Sequence, residues 1–141
     1  MIDQKSLATK LLSDPDWRMN NLYYIIDKTG KRVKFKFNLA QRELYNDIQL
    51  GISTFVCILF LDRCLWNSNK AAGIIAHTME DAEQMFRRVK YAYDNLPEDI
   101  TNIISADNDT AQMLKFSNGS SISVGTSLRS STFHYLHISE L

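Results

Sequence analysis

The residues best suited to chemistry lie in one short stretch, Gln49-Leu50-Gly51-Ile52-Ser53-Thr54. A glycine lets backbone N–H groups approach a phosphate, a hydroxyl group just after it can ligate Mg²⁺, and a following helix N-terminus favours anions. The pattern that defines such loops is GxxxxGK[ST], and here Gly51 is present but Ile52 occupies the lysine position. From the pattern alone, a phosphate-binding loop and an ordinary helix start both stay open.

Two charged residues near the end of the sequence are candidates for catalytic roles. Glu140 follows an apolar, strand-like run, and a carboxylate at a strand tip can orient a water molecule or a magnesium ion. Arg129 lies in a loop of small residues and could reach a phosphate as an arginine finger. Ordinary solvated side chains explain either residue as well.

The sequence also predicts a basic β-hairpin, with strands over residues 22–26 and 33–37 and a turn that contains Gly30. In the second strand apolar residues alternate with basic ones, so the apolar side chains share one face and the charges the other. The basic residues of that face are Arg32, Lys34 and Lys36. They could contact a nucleic-acid backbone, and a solvated hairpin face explains them equally well.

Composition places these candidates in a globular protein. The 141 residues suit one domain, with 45% apolar and 23% charged residues. Sixteen basic residues balance sixteen acidic ones, so any contact with nucleic acid must come from a local patch. Cys57 and Cys64 lie about two helical turns apart, too far to bridge, and are predicted to be buried thiols. No signal peptide is recognised and residues 51–61 are too short to span a bilayer, which predicts a cytosolic protein.

Periodicity predicts the elements that hold the candidate residues in place. After the Gly51 stretch, a helix that is apolar on every face runs to about Cys64. A strand follows over residues 71–76, and Thr78 then caps an amphipathic helix that ends near Asn95. Strands are further predicted over residues 113–116, 122–124 and 133–139, the first two as a hairpin. Helices that alternate with short apolar strands indicate an α/β fold.

The predicted elements ahead of the Gly51 stretch are weaker. A helix is expected over residues 3–12, a connecting loop over residues 16–21 and a second helix over residues 38–46. Asn38 is the expected cap of that second helix, with Gln41 as its capping-box partner.

Six blocks in this order resemble the N-terminal ATPase region of the terminase large subunit of tailed phages, the motor that packages DNA into capsids. They are WRMNNLY at residues 17–23, FNLAQRELY at 37–45, QLGIST at 49–54, GIIAHT at 73–78, FSNGS at 116–120 and LHISE at 136–140. The resemblance runs from about Asp16 to Leu141, and the number and order of the blocks make it specific. It implies a P-loop NTPase-like α/β domain with a mainly parallel sheet flanked by helices.

The resemblance also implies roles for single residues. Gln41 matches the glutamine that reads adenine, and Glu140 matches the acidic residue that ends Walker B and activates the attacking water. Arg129 falls in a loop where some family members carry an arginine that completes a neighbouring subunit's site. The divergent Walker A loop matches at residues 49–54, with Ser53 and Glu140 as the expected magnesium ligands. The Walker A residues named by this match are Gln49, Gly51, Ile52, Ser53 and Thr54.

The same resemblance implies ATP and Mg²⁺ as cofactors and bacterial host cytoplasm as the location. Its implied partners are double-stranded phage DNA, the small terminase subunit and the portal protein, with a homo-oligomer as a possible assembly and no membrane. The chain divides into residues 1–37, the N-terminal helix and hairpin, and residues 38–141, an incomplete P-loop-like core. The family's nuclease domain has no counterpart in the sequence.

Two departures from the family pattern bear on activity. A helix over residues 38–46 leaves no room for the strand that delivers the chain to the phosphate loop, which indicates an internal deletion. Between Tyr45 and Asp62 there is no Lys or Arg, and Asp47 would instead face a polyphosphate. We therefore expect a truncated terminase large subunit without catalytic competence, with a non-catalytic DNA- or protein-binding prophage remnant as the alternative.

Overall fold

The computed structural model describes residues 4–27, 29–36, 48–110, 112–128 and 133–139. Its helices are α1 (Gln4–Leu12), α2 (Pro15–Asn21), α3 (Ile48–Trp66), α4 (Met79–Asp94) and α5 (Glu98–Ile103). Its strands are β1 (Tyr24–Ile26), β2 (Arg32–Lys34), β3 (Ala71–Ile75), β4 (Ala106–Thr110), β5 (Met113–Phe116), β6 (Ser121–Gly125) and β7 (Tyr135–Ile138). The predicted helix over residues 38–46 lies outside the described residues.

The strands form a two-stranded hairpin, β1-β2, and a five-stranded sheet in the order β4-β5-β6-β3-β7. β3 pairs in parallel with both β6 and β7, whereas β4–β5 and β5–β6 are antiparallel. The α/β prediction is confirmed, and the expectation of a mainly parallel sheet is corrected to a mixed one. The cause is the tight turn between β5 and β6, where Gly119 has φ +87, because a short hairpin connection forces antiparallel pairing.

One face of the large sheet carries the core. Paired residues share a face, and the register aligns Ala72 with Ile122 and Ile74 with Val124, all of them buried. α3 packs against β3 and β6, and α4 packs against β6 and α3 on this face. At the edge of the sheet, the Phe60 and Tyr135 rings lie 5.9 Å apart. The apolar helix predicted after the Gly51 stretch is thus a core element of the sheet.

The opposite face of the sheet carries a glycine on β3 and two exposed apolar side chains on β7. β3 contributes Gly73, where an added Cβ would lie 2.9 Å from the side chains of Leu128 and Phe133, so these two residues rest directly on the sheet. β7 contributes Leu136 and Ile138, whose side chains are 51% and 59% exposed. Parallel strands are usually covered on both faces, so these two exposed side chains are unusual for such a strand.

The amphipathic helix α4 follows the prediction closely. Thr78 caps it by accepting a hydrogen bond from the Asp81 N–H at 3.1 Å, and Asn95 is its C-cap. The apolar positions of its sequence pattern are all buried: Ala82, Met85, Phe86, Val89, Ala92, Tyr93 and Leu96.

Residues 16–21 were expected to form a loop, and that expectation is wrong. They belong to α2, which Asp14 caps by accepting a hydrogen bond from the Asp16 N–H at 3.0 Å. Pro15 occupies the first turn, where its missing N–H costs nothing and its fixed φ suits a helix. α2 packs on α3 and so attaches the N-terminal segment to the core.

Candidate functional site

The residues expected to bind phosphate are helical. α3 begins at Ile48, so Gln49, Gly51, Ile52, Ser53 and Thr54 all lie within its first two turns. The expected loop conformation over this stretch is therefore corrected. Only the first four backbone N–H groups of a helix lack a partner inside it, so the N–H groups from Ile52 onward are used by the helix itself. Ser53 and Thr54 are partly buried.

Three other residues with predicted roles lie outside the described part of the chain. They are Gln41, Arg129 and Glu140, to which Asp47 can be added. The structure does describe the strand edge to which Glu140 is attached in sequence. Ser139 donates its N–H to the carbonyl of Ile75 at 2.8 Å, so β3 and β7 end side by side.

The predicted hairpin is present, although its strands are shorter than the expected residues 22–26 and 33–37, and its outward face is a cation–aromatic cluster. Register pairs Tyr24 with Lys34 and Ile26 with Arg32, which places these four side chains on one face. The Arg32 guanidinium carbon lies 4.0 Å from the centre of the Tyr24 ring, and the Lys34 Nζ lies 5.9 Å from it. Arg32, Lys34 and Lys36 are exposed. We call Tyr24, Arg32 and Lys34 the hairpin platform.

The hairpin's other face is apolar, as predicted for the described residues. Val33 is partly buried and Phe35 is 3% exposed. The turn is held by Asp27, whose carboxylate accepts hydrogen bonds from the Thr29 N–H, the Thr29 hydroxyl and the Lys31 N–H at 2.6–2.9 Å. The Thr29 hydroxyl and then the Lys31 N–H are the main causes that lower the pKa of this carboxyl. Gly30 has φ +82, a conformation that favours glycine.

A groove of about 430 Å³ lies between the hairpin, α3 and α4. Ile25 and Ile26 line it from the hairpin, Thr54 lines it from α3, and Tyr91 of α4 contributes an aromatic side chain. The same helix supplies four charged side chains to the lining: Arg87, Arg88, Lys90 and Asp94. We call this the α4 groove. Ile26 belongs both to it and to the outward face of the hairpin, so the groove and the platform adjoin.

The sequence shows no Lys or Arg close to residues 49–54, but the fold brings cations of α4 near them. Thr54 shares the α4 groove with Arg87, Arg88 and Lys90, which lie more than 30 residues later in the chain. Three cations and one carboxylate give this groove a positive lining. The polar side of α4 carries its basic residues one, two and three positions apart, and that clustering is the sequence signal that could have located them.

A second charged cluster, fully buried, was also missed by sequence reasoning. The carboxylate of Asp62 is 0% exposed and accepts hydrogen bonds from Arg18 Nε at 2.8 Å and Nη2 at 3.1 Å. The Tyr23 hydroxyl donates to the same carboxylate at 2.5 Å, and Trp66 Nε1 donates to that hydroxyl at 3.3 Å. Burial and then the nearby charge of Asp62 raise the pKa of Tyr23 well above its usual value. Arg63 also donates to this carboxylate at 3.1 Å. The cluster joins α2 and the residue before β1 to α3, and every group named in it has a partner, so its role is structural.

The two cysteines behave as predicted. Both are free and buried in the described core. Burial raises the pKa of the Cys57 thiol to about 12, against a smaller lowering effect of the positive charge of Arg88. Burial also raises the pKa of the Cys64 thiol to about 12. Neither thiol is therefore suited to act as a nucleophile near neutral pH.

Neither a metal centre nor a membrane span is found in the described part of the chain. No three His, Cys, Asp or Glu side chains among the described residues are grouped so as to hold a metal ion. Among the described helices, none combines the length and apolar character needed to cross a lipid bilayer.

A scan against models of protein families matched none of them, and a search among curated proteins found no match. The resemblance to terminase large subunits therefore stays a prediction from the sequence blocks.

Proposed function

We propose that the chain is a terminase-type ATPase unit that binds DNA and, in this form, does not turn over ATP. The observation that best supports its lineage is the parallel pairing of β3 with β7, preceded in the chain by α3. Ligands of open α/β sheets bind outside the carboxyl ends of parallel strands. Ile75 and Ile138, at the ends of these two strands, are paired neighbours. Glu140 lies two positions further along the sequence, as the Walker B residue of this family would.

The start of α3 supports the proposed absence of turnover. A phosphate loop offers a row of free backbone N–H groups and a nearby lysine or arginine to a triphosphate. The helix that begins at Ile48 leaves the N–H groups of Ser53 and Thr54 bonded inside α3. In the sequence, Asp47 adds a negative charge next to this site. A like charge about 4 Å from a phosphate at an effective dielectric constant of 20 opposes binding by roughly 4 kcal/mol.

Calorimetric titration with Mg-ATP and a steady-state ATPase assay test this part of the proposal. We expect no binding at micromolar ATP and no hydrolysis above background, and the Asp47→Arg variant should not restore either one. Micromolar ATP affinity would overturn the proposal, and so would hydrolysis that is abolished by Glu140→Gln.

DNA binding is assigned to the hairpin platform together with Lys36. An aromatic ring flanked by cations is a surface on which nucleic-acid backbones and bases bind. Arg32, Lys34 and Lys36 are exposed in the structure, so all three can reach phosphate groups. Three phosphate contacts predict a slope of about −2.7 in a plot of log affinity against log salt. Between 50 and 200 mM salt the affinity for duplex DNA should therefore fall about 40-fold. By the same resemblance, the small terminase subunit and the portal protein are the proposed protein partners.

Fluorescence anisotropy with a labelled DNA duplex measures this directly. The Arg32→Ser/Lys34→Ser variant should lose most of the affinity and flatten the salt dependence. A matched control, Lys10→Ser/Lys115→Ser, removes two cations that are exposed elsewhere and should bind nearly as the parent does. Equal losses in the two variants would show a general charge effect and refute the assignment to the hairpin.

A further inference from the structure

The α4 groove has the features of a small-molecule site. Its volume of about 430 Å³ lies within the range of roughly 300–1,000 Å³ that ligand sites occupy. Such sites combine mostly apolar walls with a few convergent polar groups. Ile25, Ile26 and Tyr91 supply the apolar walls, and the basic side chains of α4 supply the polar groups.

Arg88 is the polar group that most clearly lacks a counterpart. It is partly buried in the groove lining, and no hydrogen bond or ion pair joins its side chain to any residue that the structure describes. Against the larger effect of burial, its positive charge is close enough to the buried Cys57 of α3 to lower the pKa of that thiol slightly. A partly desolvated guanidinium is stabilised by an anion, above all by a carboxylate or phosphate that its planar fork can bind with two hydrogen bonds.

The other two cations of the groove are only weakly committed to partners. The Arg87 Nη2 lies 3.7 Å from a carboxylate oxygen of Glu83, and the Lys90 Nζ lies 3.7 Å from one of Asp94. These side chains are substantially exposed, and both distances exceed normal hydrogen-bond length, so the pairs are weak. Both cations can therefore turn toward an anion that Arg88 holds.

The walls define the rest of the ligand. Tyr91 of α4 contributes an aromatic side chain to the lining, and the strand β1 contributes Ile25 and Ile26. Ile26 is 54% exposed, which is unusual for a large apolar side chain and leaves its surface available for contact. A flat, apolar body fits a lining of aromatic and branched aliphatic side chains. The hydroxyl group of Thr54 at the α3 wall adds one neutral hydrogen-bonding group.

We propose that the α4 groove binds a small aromatic phosphate ester, with the phosphate on Arg88 and the ring against the apolar lining that Tyr91 and β1 supply. The site shares Thr54 with the helical stretch discussed as a Walker A loop and adjoins the hairpin platform at Ile26, but the residue that holds the phosphate, Arg88, has no part in the ATP or DNA proposals. It requires neither the terminase lineage nor ATP turnover, and its test uses different variants.

1-Naphthyl phosphate is a suitable probe, since its naphthyl group fluoresces and its two halves can be tested separately. The parent protein should bind it with a measurable change in fluorescence. It should bind inorganic phosphate and neutral 1-naphthol at least about tenfold more weakly, because each offers only half of the contacts. Equal affinity for 1-naphthol and 1-naphthyl phosphate would overturn the proposal, and so would no binding at millimolar probe.

Substitutions at Arg88 test where the phosphate lies. Losing a hydrogen bond to a charged group costs about 1.5–3 kcal/mol, so Arg88→Met should weaken binding by about 10- to 150-fold. Arg88→Lys should fall between Met and the parent, because it keeps the charge and loses the fork. The matched control Lys115→Met removes an exposed cation of β5 and should leave the affinity within about twofold of the parent value.

Thermal unfolding of each variant ensures that binding is measured on folded protein. If Arg88→Met does not fold, the Arg88→Lys and Arg87→Met variants replace it, and both should weaken binding while Lys115→Met does not. Binding that is unchanged by all substitutions in the groove would refute the site. Such a failure would leave the ATP and DNA proposals untouched, because neither depends on Arg88.

Discussion

Replacing Asp62 by asparagine should be among the most destabilising single changes in this protein. The side chain keeps its size and loses its charge. In the structure its carboxylate, at 0% exposure, accepts two hydrogen bonds from Arg18, which is 5% exposed, and one from Tyr23. A fourth comes from the neighbouring Arg63 at 3.1 Å, whose side chain is 33% exposed and can be solvated by water. In the Asn variant the Arg18 guanidinium would stay buried beside Trp66, whose ring centre is 5.0 Å away. Its remaining acceptors would be the Leu12 carbonyl and the single oxygen of the new amide, in place of the two carboxylate oxygens.

The expected cost follows from that uncompensated charge. Removing one partner of a buried ion pair typically costs about 3–5 kcal/mol, because the remaining charge has no water to solvate it. Most domains have a free energy of unfolding of about 5–15 kcal/mol. The substitution should therefore remove a large part of the total stability, and also loosen α2 from α3.

Urea unfolding followed by far-ultraviolet circular dichroism and tryptophan fluorescence measures this cost. Asp94→Asn is the matched control, because the Asp94 side chain is 53% exposed and its carboxylate lies 3.7 Å from the Lys90 Nζ, which makes a weak ion pair. It should change the free energy of unfolding by less than about 1 kcal/mol. A loss below about 1 kcal/mol for Asp62→Asn as well would refute the account of Asp62 as a buried, charge-compensating group.

A double variant separates charge from packing. Arg18→Met/Asp62→Leu removes both charges and keeps apolar volume, and such replacements are often neutral or stabilising. It should recover much of the stability lost in Asp62→Asn. If the double variant is as unstable as the single one, the unpaired Arg18 charge is not the cause, and lost packing or the Tyr23 hydroxyl left without its acceptor is.

Three further predictions concern the core and its turns. Leu61→Ala should lower the free energy of unfolding by about 2–5 kcal/mol in urea titrations, since Leu61 is 0% exposed in α3; a loss under about 1 kcal/mol would contradict its place in the core. Gly119→Ala should lower the midpoint of thermal unfolding, because φ +87 disfavours alanine and an added Cβ would collide with the Asn69 side chain; an unchanged midpoint would contradict the turn geometry. Cys57 and Cys64 have thiol pKa values raised to about 12, so at pH 8 they should react with a disulfide reagent roughly a thousandfold more slowly than thiols of ordinary pKa 9. Both should react rapidly once urea unfolds the protein, and fast labelling of the native state would refute their burial.

Local sequence signals predicted the parts of the fold that depend on local contacts. α4 could be predicted because its apolar positions, its cap Thr78 and its C-terminal end all lie within one stretch of sequence. The hairpin β1-β2 could be predicted for the same reason, with Gly30 at a position that requires positive φ. α2 had an equally local signal in Asp14 followed by Pro15, which are an N-cap and a first-turn residue, and that signal was not used.

What the sequence could not predict depends on contacts between distant residues. β4 contains Asp107, Asn108 and Asp109 and shows no apolar alternation, so only its pairing with β5 makes it a strand. The α4 groove brings Thr54 together with Arg88 across two helices, and no spacing rule links them. In the sequence, Asp62 is simply the charged residue that follows an apolar run. Its partner Arg18 lies 44 residues earlier, and only the folded structure brings the two together.

The turn between β5 and β6 also completes the C-terminal end of α3. The side-chain amide of Asn118 donates to the carbonyls of Cys64 and Leu65 at 2.9 and 3.0 Å, groups that a helix end leaves unpaired. The Ser120 hydroxyl accepts a hydrogen bond from the Lys70 N–H at 3.0 Å. Fraying of the helix and opening of the hairpin should therefore be one cooperative event, although about 50 residues separate the two segments. In native-state hydrogen exchange, the amides of Lys70 and Ser120 should report the same opening free energy, as members of one unfolding unit.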